Sequence, residues 1–411
     1  MMKLVQIGAG NIGRSFTGAI FSRAGWEVVF ADVSQSLVSL LNERRYYTVV
    51  IKREGREDEL RRIGPVRACD MRDRESVTAE IAGCDLLSVS VGKDALPFIM
   101  APVAAALEKR QRINGKPLDI IIAENVPGAK RLFAAGLQAA LKDTAFRIED
   151  IAGLVETSIG KMVPLVTQED RAADPLRLFA EEYETLIADK KAFHGGPPVV
   201  PGLAAVDNIT AWVQRKLYIH NLGHAAAAYW GYQADPRVRT ICGVLALPGI
   251  EDAVRASMCS SAGALVREYP ETFTTEELRA HIDDLLFRFK NSALGDTVFR
   301  VGQDLPRKLS GDDRIVGAML LCARRGVAFE AAAAVYRAAL EFRAAGDDGR
   351  LFPADEFFLR ETLAGRTAQQ ALESADFMAA VSGLNESDVE KKKVLETLRQ
   401  TEPGYGPDIR K

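Results

Sequence analysis

The chain has 411 residues, 47% of them hydrophobic and 27% charged, the usage of an ordinary globular protein of two or three domains rather than a disordered or collagenous one. Lys and Arg number 53 against 56 Asp and Glu, for a net charge of −3, so there is no global basic field to recruit nucleic acid or a membrane surface. No apolar run approaches the ~18 residues that a membrane helix needs.

The opening Met1–Ile7 lacks the long apolar region and cleavage site of a signal peptide. The five cysteines, at 69, 84, 242, 259 and 322, are odd in number, widely spaced and without a C-x-x-C pair. They read as reduced thiols in a cytoplasmic protein, with neither a disulfide framework nor a zinc site.

Lys3–Ile7 is a short buried-strand candidate. Asn11 to Ala24 has helical spacing, with Ile12, Phe16, Ile20 and Phe21 on one side and Gly25 to end it. Glu27–Val33 is a second strand and Ser36–Arg44 the next helix, while the polar segment Val49–Val66 suits a hairpin excursion. Asp85–Val91 and Asp119–Ala123 read as further buried strands, and another apolar stretch covers Ile151–Val166. Strands alternating with helices predict right-handed βαβ units and a Rossmann-type doubly wound parallel sheet.

The run Gly195-Gly196-Pro197-Pro198-Val199-Val200-Pro201-Gly202 cannot continue a helix or a central strand. It places a domain boundary, giving 1–200 as a dinucleotide-binding domain and 201–411 as a mainly α-helical substrate domain. Helical spacing then covers Ala204–Trp230, Gly249–Tyr269, Thr275–Phe289, Ile315–Arg324 and Phe329–Ala344. The tail beyond Thr401, with Pro403, Gly404, Gly406 and Pro407, is expected to be poorly ordered.

Gly8-Ala9-Gly10-Asn11-Ile12-Gly13 matches G-x-G-x-x-G between a strand and a helix, the context a dinucleotide site requires. Gly8 permits the tight turn, Gly10 the approach of a pyrophosphate, and Gly13 close packing of helix on sheet. Asn11 and Ile12 open the helix, whose free N–H groups face the anion. Asp32 lies 19 residues beyond Gly13, where a carboxylate binds both ribose hydroxyls and repels a 2′-phosphate. No Lys or Arg occurs at 33–43, so the expected cofactor is NAD rather than NADP.

Beyond the boundary come Lys216, Asn221 and His224. On one α-helix, Asn221 and His224 lie about 140° and 80° from Lys216. Convergence is therefore allowed but not forced. By spacing alone, a solvated Lys216 on an amphipathic helix, with Asn221 and His224 satisfied locally, is the commoner outcome. The chemistry favours the other reading. Oxidation of a secondary alcohol by NAD needs a base for the hydroxyl proton, and a desolvated lysine supplies one. An asparagine amide stabilises the developing alkoxide, and a histidine orients a second hydroxyl. Asn125 follows the strand Asp119–Ala123, at the end where open sheets bind ligands, and either serves its own turn or faces a substrate.

These residues resemble the polyol-specific long-chain dehydrogenases, the mannitol dehydrogenase family. The similarity lies in Gly8 to Arg14, Phe30 to Val33, Asn125 to Gly128, Glu156 to Pro164, the Lys216-x4-Asn221-x2-His224 spacing, Arg300 to Gly302, and Pro306 to Arg314. It runs from about residue 3 to 390, and the Lys-Asn-His spacing is its most specific part. The resemblance implies a metal-independent, NAD-dependent enzyme, cytoplasmic and monomeric, that interconverts D-mannitol 1-phosphate and D-fructose 6-phosphate. Lys216 would be the general base, Asn125 and Asn221 would hold the reacting oxygen, and His224 would bind a neighbouring hydroxyl.

Gln303, the stretch Tyr218-Ile219-His220 and the unusually small stretch Ala225–Tyr229 depart from the family pattern. They leave the sugar and the phosphate contacts open. Arg300, Arg307 and Lys308 are the candidate phosphate donors, with ordinary surface charge the alternative. An unphosphorylated polyol or a hexonate remains the other substrate class. A redox sensor without turnover would leave Lys216, Asn125, Asn221 and His224 without a joint purpose.

Overall fold

The computed structural model describes residues 1–126, 128–164 and 168–402. The chain divides into two compact units, Met1–Trp212 and Val213–Lys411. Among the described residues the first holds eleven strands: β1 (Lys3–Ile7), β2 (Glu27–Asp32), β3 (Tyr47–Ile51), β4 (Glu59–Ile63), β5 (Val66–Asp70), β6 (Leu86–Val89), β7 (Leu118–Ile122), β8 (Ala152–Ser158), β9 (Leu178–Ala180), β10 (Leu186–Asp189) and β11 (Leu203–Val206). Eight form one sheet in the order β11-β10-β8-β7-β6-β1-β2-β5.

From β5 to β8 every pairing is parallel, whereas β10 runs antiparallel to β8. Parallel strands are buried on both faces, which is why they read as unbroken apolar runs. Val5, Ile7, Leu87, Val89, Ile120 and Ile122 pack on one face against Ile99, Val103, Phe133 and Leu137 of the helices Leu96–Asn114 and Ala129–Ala140. Leu4, Val28, Phe30, Leu86 and Ile121 pack on the other against Phe16, Ile20 and Phe21. Between β6 and β2 stands β1, where the strand order reverses. Ligands of such sheets bind there, beyond the carboxyl ends.

The polar excursion is a hairpin: β3 and β4 pair antiparallel, and β9 completes a three-stranded sheet. One expectation is corrected. The helix anticipated from Ala204 begins instead as β11, which pairs parallel with β10. The Gly/Pro run is thus a loop between two strands of the first unit. Gly202 sits at φ +92°, and its carbonyl accepts from Leu186 N at 2.7 Å. The helix starts only at Ile209, where the Asn208 side chain caps it by accepting from Ala211 N at 3.3 Å.

The second unit is helical. The anticipated helices are found as Ile250–Glu268, Thr275–Phe289, Val316–Arg325 and Glu330–Leu340. At its centre lies Leu222–Ala234, in which Ala225 to Ala228 are fully buried. A helix apolar on all sides must be surrounded by others. The small residues permit close approach: a Cβ on Gly223 would lie 2.5 Å from Met258 Sδ, and one on Gly231 would lie 2.4 Å from Val244 Cβ. Among the described residues no helix is long and apolar enough to cross a membrane, and no cysteine is in a disulfide. Pro127, Val166 and the tail residues Pro403, Gly404, Gly406 and Pro407 lie outside the described residues.

Candidate functional site

In the first unit the glycine loop joins β1 to a helix over residues 11–23. Gly8 has φ +89°, and a Cβ there would meet Ser90 O at 2.2 Å. A Cβ on Gly13 would meet Gly8 O at 2.0 Å, so this glycine lets the helix close over the loop. Gly10 is different: a Cβ there would meet nothing within 4 Å. Its backbone borders open space at the helix start, beside Asn11 and Ile12, and a pyrophosphate fits such a cradle.

Asp32, at the end of β2, accepts from Ala9 N (2.8 Å, Oδ2) and from Ser34 N (2.9 Å, Oδ1). Each carboxylate oxygen has two acceptor sites, so capacity remains for ribose hydroxyls. The loop, the open cradle and the carboxylate together fit a dinucleotide.

Under the loop lies a buried polar network not anticipated from the sequence. Gln6 Nε2 donates to Ile7 O (2.8 Å) and to Ser90 Oγ (2.9 Å), and Thr17 Oγ1 donates to Gln6 Oε1 (2.6 Å). Arg14, 6% exposed, donates through Nε to Ala9 O at 2.6 Å. The one hint of this in the sequence is a glutamine within an apolar strand. Asn125 lies exposed just past β7. Its neighbour Glu124 accepts from Val91 N (2.6 Å) and Gly92 N (3.1 Å), which ties the ends of β6 and β7 together. Burial pushes the Glu124 carboxyl upward.

In the second unit, Lys216 and Asn221 bound a π-helical turn, Lys216–Asn221, set between the α-helices Ile209–Arg215 and Leu222–Ala234. In an α-helix, five residues leave Asn221 about 140° from Lys216. A π-turn bonds residue i to i+5 and returns the fifth residue to the face of the first. Asn221 then has His224 three residues on, its neighbour on the α-helical surface. By this geometry the turn brings Asn221 nearer to the Lys216 face than an α-helix would.

Lys216 is half-buried, and its amine is pulled down to about 8. Loss of hydration is the main cause. The guanidiniums of Arg314 and Arg307 add to it, and Asp313 opposes. Asp313 is buried and accepts from Arg314 Nε (2.6 Å) and Arg307 Nη1 (3.0 Å). Asp313 and Arg314, which set the charge around Lys216, lie in the segment that resembles the family but were not singled out as site residues.

The His224 ring stacks on Phe289 with centroids 4.6 Å apart and planes 9° apart. Its Nε2 lies 3.3 Å from Asp296 Oδ2. His220 is buried, and burial together with Arg288 and His224 holds it well below the ordinary histidine range.

The three late basic residues are all engaged. Arg300 pairs with Asp296, Arg307 with Asp304 and Asp313, and the buried Lys308 amine donates to Gln303 O. Burial, with Arg314 and Arg307 nearby, pushes Lys308 well below the ordinary lysine range.

Comparison with known proteins places this arrangement in context. The mannitol dehydrogenase Rossmann domain matches residues 2–202, and the mannitol dehydrogenase C-terminal domain matches residues 208–401. The mannitol-1-phosphate 5-dehydrogenase of Bacillus licheniformis is 36% identical over 324 residues, covering 78% of this chain and 83% of that protein. The enzyme of the same name from Bacillus subtilis is 33% identical over 318 residues, covering 77% of this chain and 82% of that protein.

Among solved structures, a substrate-free D-sorbitol dehydrogenase superposes with a TM-score of 0.76 at 16% identity, over 97% of this chain and 93% of that one. The mannitol 2-dehydrogenase of Pseudomonas fluorescens, solved with NAD and D-mannitol, gives 0.69 at 17% identity, over 97% and 91%. Both share the fold. Two matched domains that together span nearly all of the sequence, and relatives above 30% identity over most of their length, make this chain a member of the mannitol dehydrogenase family.

Proposed function

We propose that this chain is an NAD-dependent mannitol-1-phosphate 5-dehydrogenase, interconverting D-mannitol 1-phosphate and D-fructose 6-phosphate. The observation that carries the reading is Lys216, an amine lowered to about 8 at the head of the π-turn that ends at Asn221. Relatives bearing that enzyme's name at 33–36% identity support the substrate assignment.

NAD, when bound, supplies the nicotinamide that accepts hydride from the carbinol carbon. Gly10, Asn11 and Ile12 would hold its pyrophosphate at the helix start, with Gly8, whose N–H is given to Ala31 O, making the turn and Gly13 letting the helix pack close. Asp32 accepts from the ribose hydroxyls and disfavours a 2′-phosphate. Lys216, in its neutral form, takes the hydroxyl proton as the carbonyl forms and returns it in reduction. The Asn221 amide donates to the developing alkoxide, and Asn125 would be a second amide donor to the reacting oxygen. His224 binds a neighbouring hydroxyl. No metal takes part in this scheme.

A second reading has its own support. Arg300 and Arg307 are each paired with a carboxylate, and burial holds Lys308 well below the ordinary lysine range, so all three offer a phosphate less charge than free cations would. That favours an unphosphorylated polyol. The deciding experiment is reduction of fructose 6-phosphate and of fructose by NADH, compared by kcat/KM. A clear preference for the phosphate ester is expected. Equal or better use of fructose would transfer the assignment to the unphosphorylated polyol.

A further inference from the structure

Asp296 was singled out neither by spacing nor by resemblance, yet it stands between two of the candidate substrate residues. It follows Gly295, at φ +62°, and precedes the short helix Val298–Gly302. Its backbone is pinned to the neighbouring stretch: Ile241 N donates to Asp296 O and Val298 N donates to Arg239 O, both at 2.9 Å, and Thr297 bridges Thr240. The side chain is 8% exposed. Its carboxylate makes two ion-pair contacts, neither aligned as a hydrogen bond: Oδ2 lies 3.3 Å from His224 Nε2 and Oδ1 faces the Arg300 guanidinium four residues on, so this carboxylate is the acceptor within reach of the buried ring nitrogen. The imidazole plane is held by its stacking on Phe289.

We propose that Asp296 is the positioning residue of His224, placing the ring proton on Nε2 so that Nδ1 carries the lone pair that accepts a substrate hydroxyl. A carboxylate only accepts, so the ring nitrogen that faces it must bear the hydrogen; a lone pair there would be repelled. In a neutral imidazole the other nitrogen is then the acceptor. Arg300 faces the second oxygen of the same carboxylate and shares its charge. The inference rests on the reading of His224 as a substrate-binding residue. One buried carboxylate thus sets the orientation of His224 and of Arg300 together.

The full-length protein, labelled with ¹⁵N-histidine, tests this directly. The chain has four histidines, and the His224 resonances are identified by their loss in His224→Asn. Long-range ¹H–¹⁵N spectra of the wild-type protein at neutral pH are expected to show the Nε2–H tautomer. An Nδ1–H tautomer, or a ring protonated on both nitrogens, overturns the proposal.

Kinetics supply the second arm. Asp296→Asn is expected to lower kcat/KM for fructose 6-phosphate by about 10- to 100-fold, the usual scale for a partner that orients an active-site histidine, with NADH affinity unchanged. In a His224→Ala background the same change is expected to cost less than about 3-fold, because the group it acts through is gone. An equal loss in both backgrounds, or no loss in the wild-type background while His224→Ala is damaging, overturns the role of Asp296 alone. A harmless His224→Ala instead removes the reading of His224 on which the proposal rests.

Discussion

The ionisation of Lys216 yields the sharpest expectation, because the structure supplies a magnitude and two opposed ways to perturb it. Lowering the amine from 10.5 to about 8 corresponds to about 3 kcal/mol of disfavoured charge. At pH 7 it raises the neutral fraction from about 1 in 3,000 to about 1 in 10. Polyol oxidation requires the neutral amine, so its kcat/KM is expected to rise about tenfold between pH 7 and pH 9 and then level off. Sugar reduction requires the protonated amine, so its kcat/KM is expected to fall as the pH rises through about 8.

The inflection should respond to its charged neighbours with opposite signs. Arg314→Gln removes a cation that depresses the amine, so the inflection moves up. Asp313→Asn removes the anion that supports the ammonium, so it moves down. Both are read from initial rates of NADH formation across pH, with the thermal midpoint of each variant as a folding control. A flat profile between pH 7 and pH 9, an inflection near the ordinary lysine value, or shifts of one sign in both variants would refute the electrostatic account of Lys216.

Two glycines of the loop separate ligand approach from packing. Gly10→Ala is expected to abolish tight NADH binding, measured by fluorescence titration, while leaving the thermal midpoint near wild type, since its Cβ meets no protein atom within 4 Å. Gly13→Ala is expected to lower both, because its Cβ would press on Gly8 O at 2.0 Å. Asp32→Ala should weaken NAD binding and relax discrimination against NADP; unchanged cofactor preference in initial-rate assays would remove Asp32 from the ribose site. It should also lower the thermal midpoint, since hydrogen bonds from Ala9 N and Ser34 N to a charged acceptor are lost. Gly231→Ala forces a methyl onto Val244 and is expected to cost about 1–3 kcal/mol in denaturant unfolding.

The sheet was legible because its physics is local and repetitive. β1, β2, β6 and β7 are buried on both faces, so Val5, Val29, Leu87 and Ile120 advertise themselves as unbroken apolar runs. β11 was not, because Leu203–Val206 is only half-buried and its pattern suits a strand or a helix start equally. What decides it is a distant partner, Leu186–Asp189, together with the cap at Asn208. The polar network under the glycine loop was hidden for a related reason. Gln6 and Thr17 are eleven residues apart and meet only once strand and helix are docked.

The site shows most clearly where reading by period fails. A regular helix puts Asn221 far around from Lys216, and no arithmetic on 100° per residue can restore it. The chain resolves the conflict by inserting one wider turn between two α-helical segments, with Lys216 and Asn221 as its end residues. Such a turn forgoes regular i to i+4 bonding and persists only where its surroundings hold it. Here they do: Ile219 and Leu222 are fully buried, and Gly317 admits the Tyr218 ring so closely that a Cβ would lie 2.7 Å from it. Tyr218, which stands between the catalytic candidates as a departure from the family pattern, is therefore packed as part of the turn that joins them. The same insertion recurs over Gly13–Gly18, in the helix that opens the dinucleotide loop. A third π-turn, Phe358–Leu363, lies outside both elements, so the irregularity alone does not mark chemistry; what the first two share is a glycine that clears a packed ring, Gly18 against Phe30 and Gly317 against Tyr218, where a Cβ would lie 2.6 Å and 2.7 Å away.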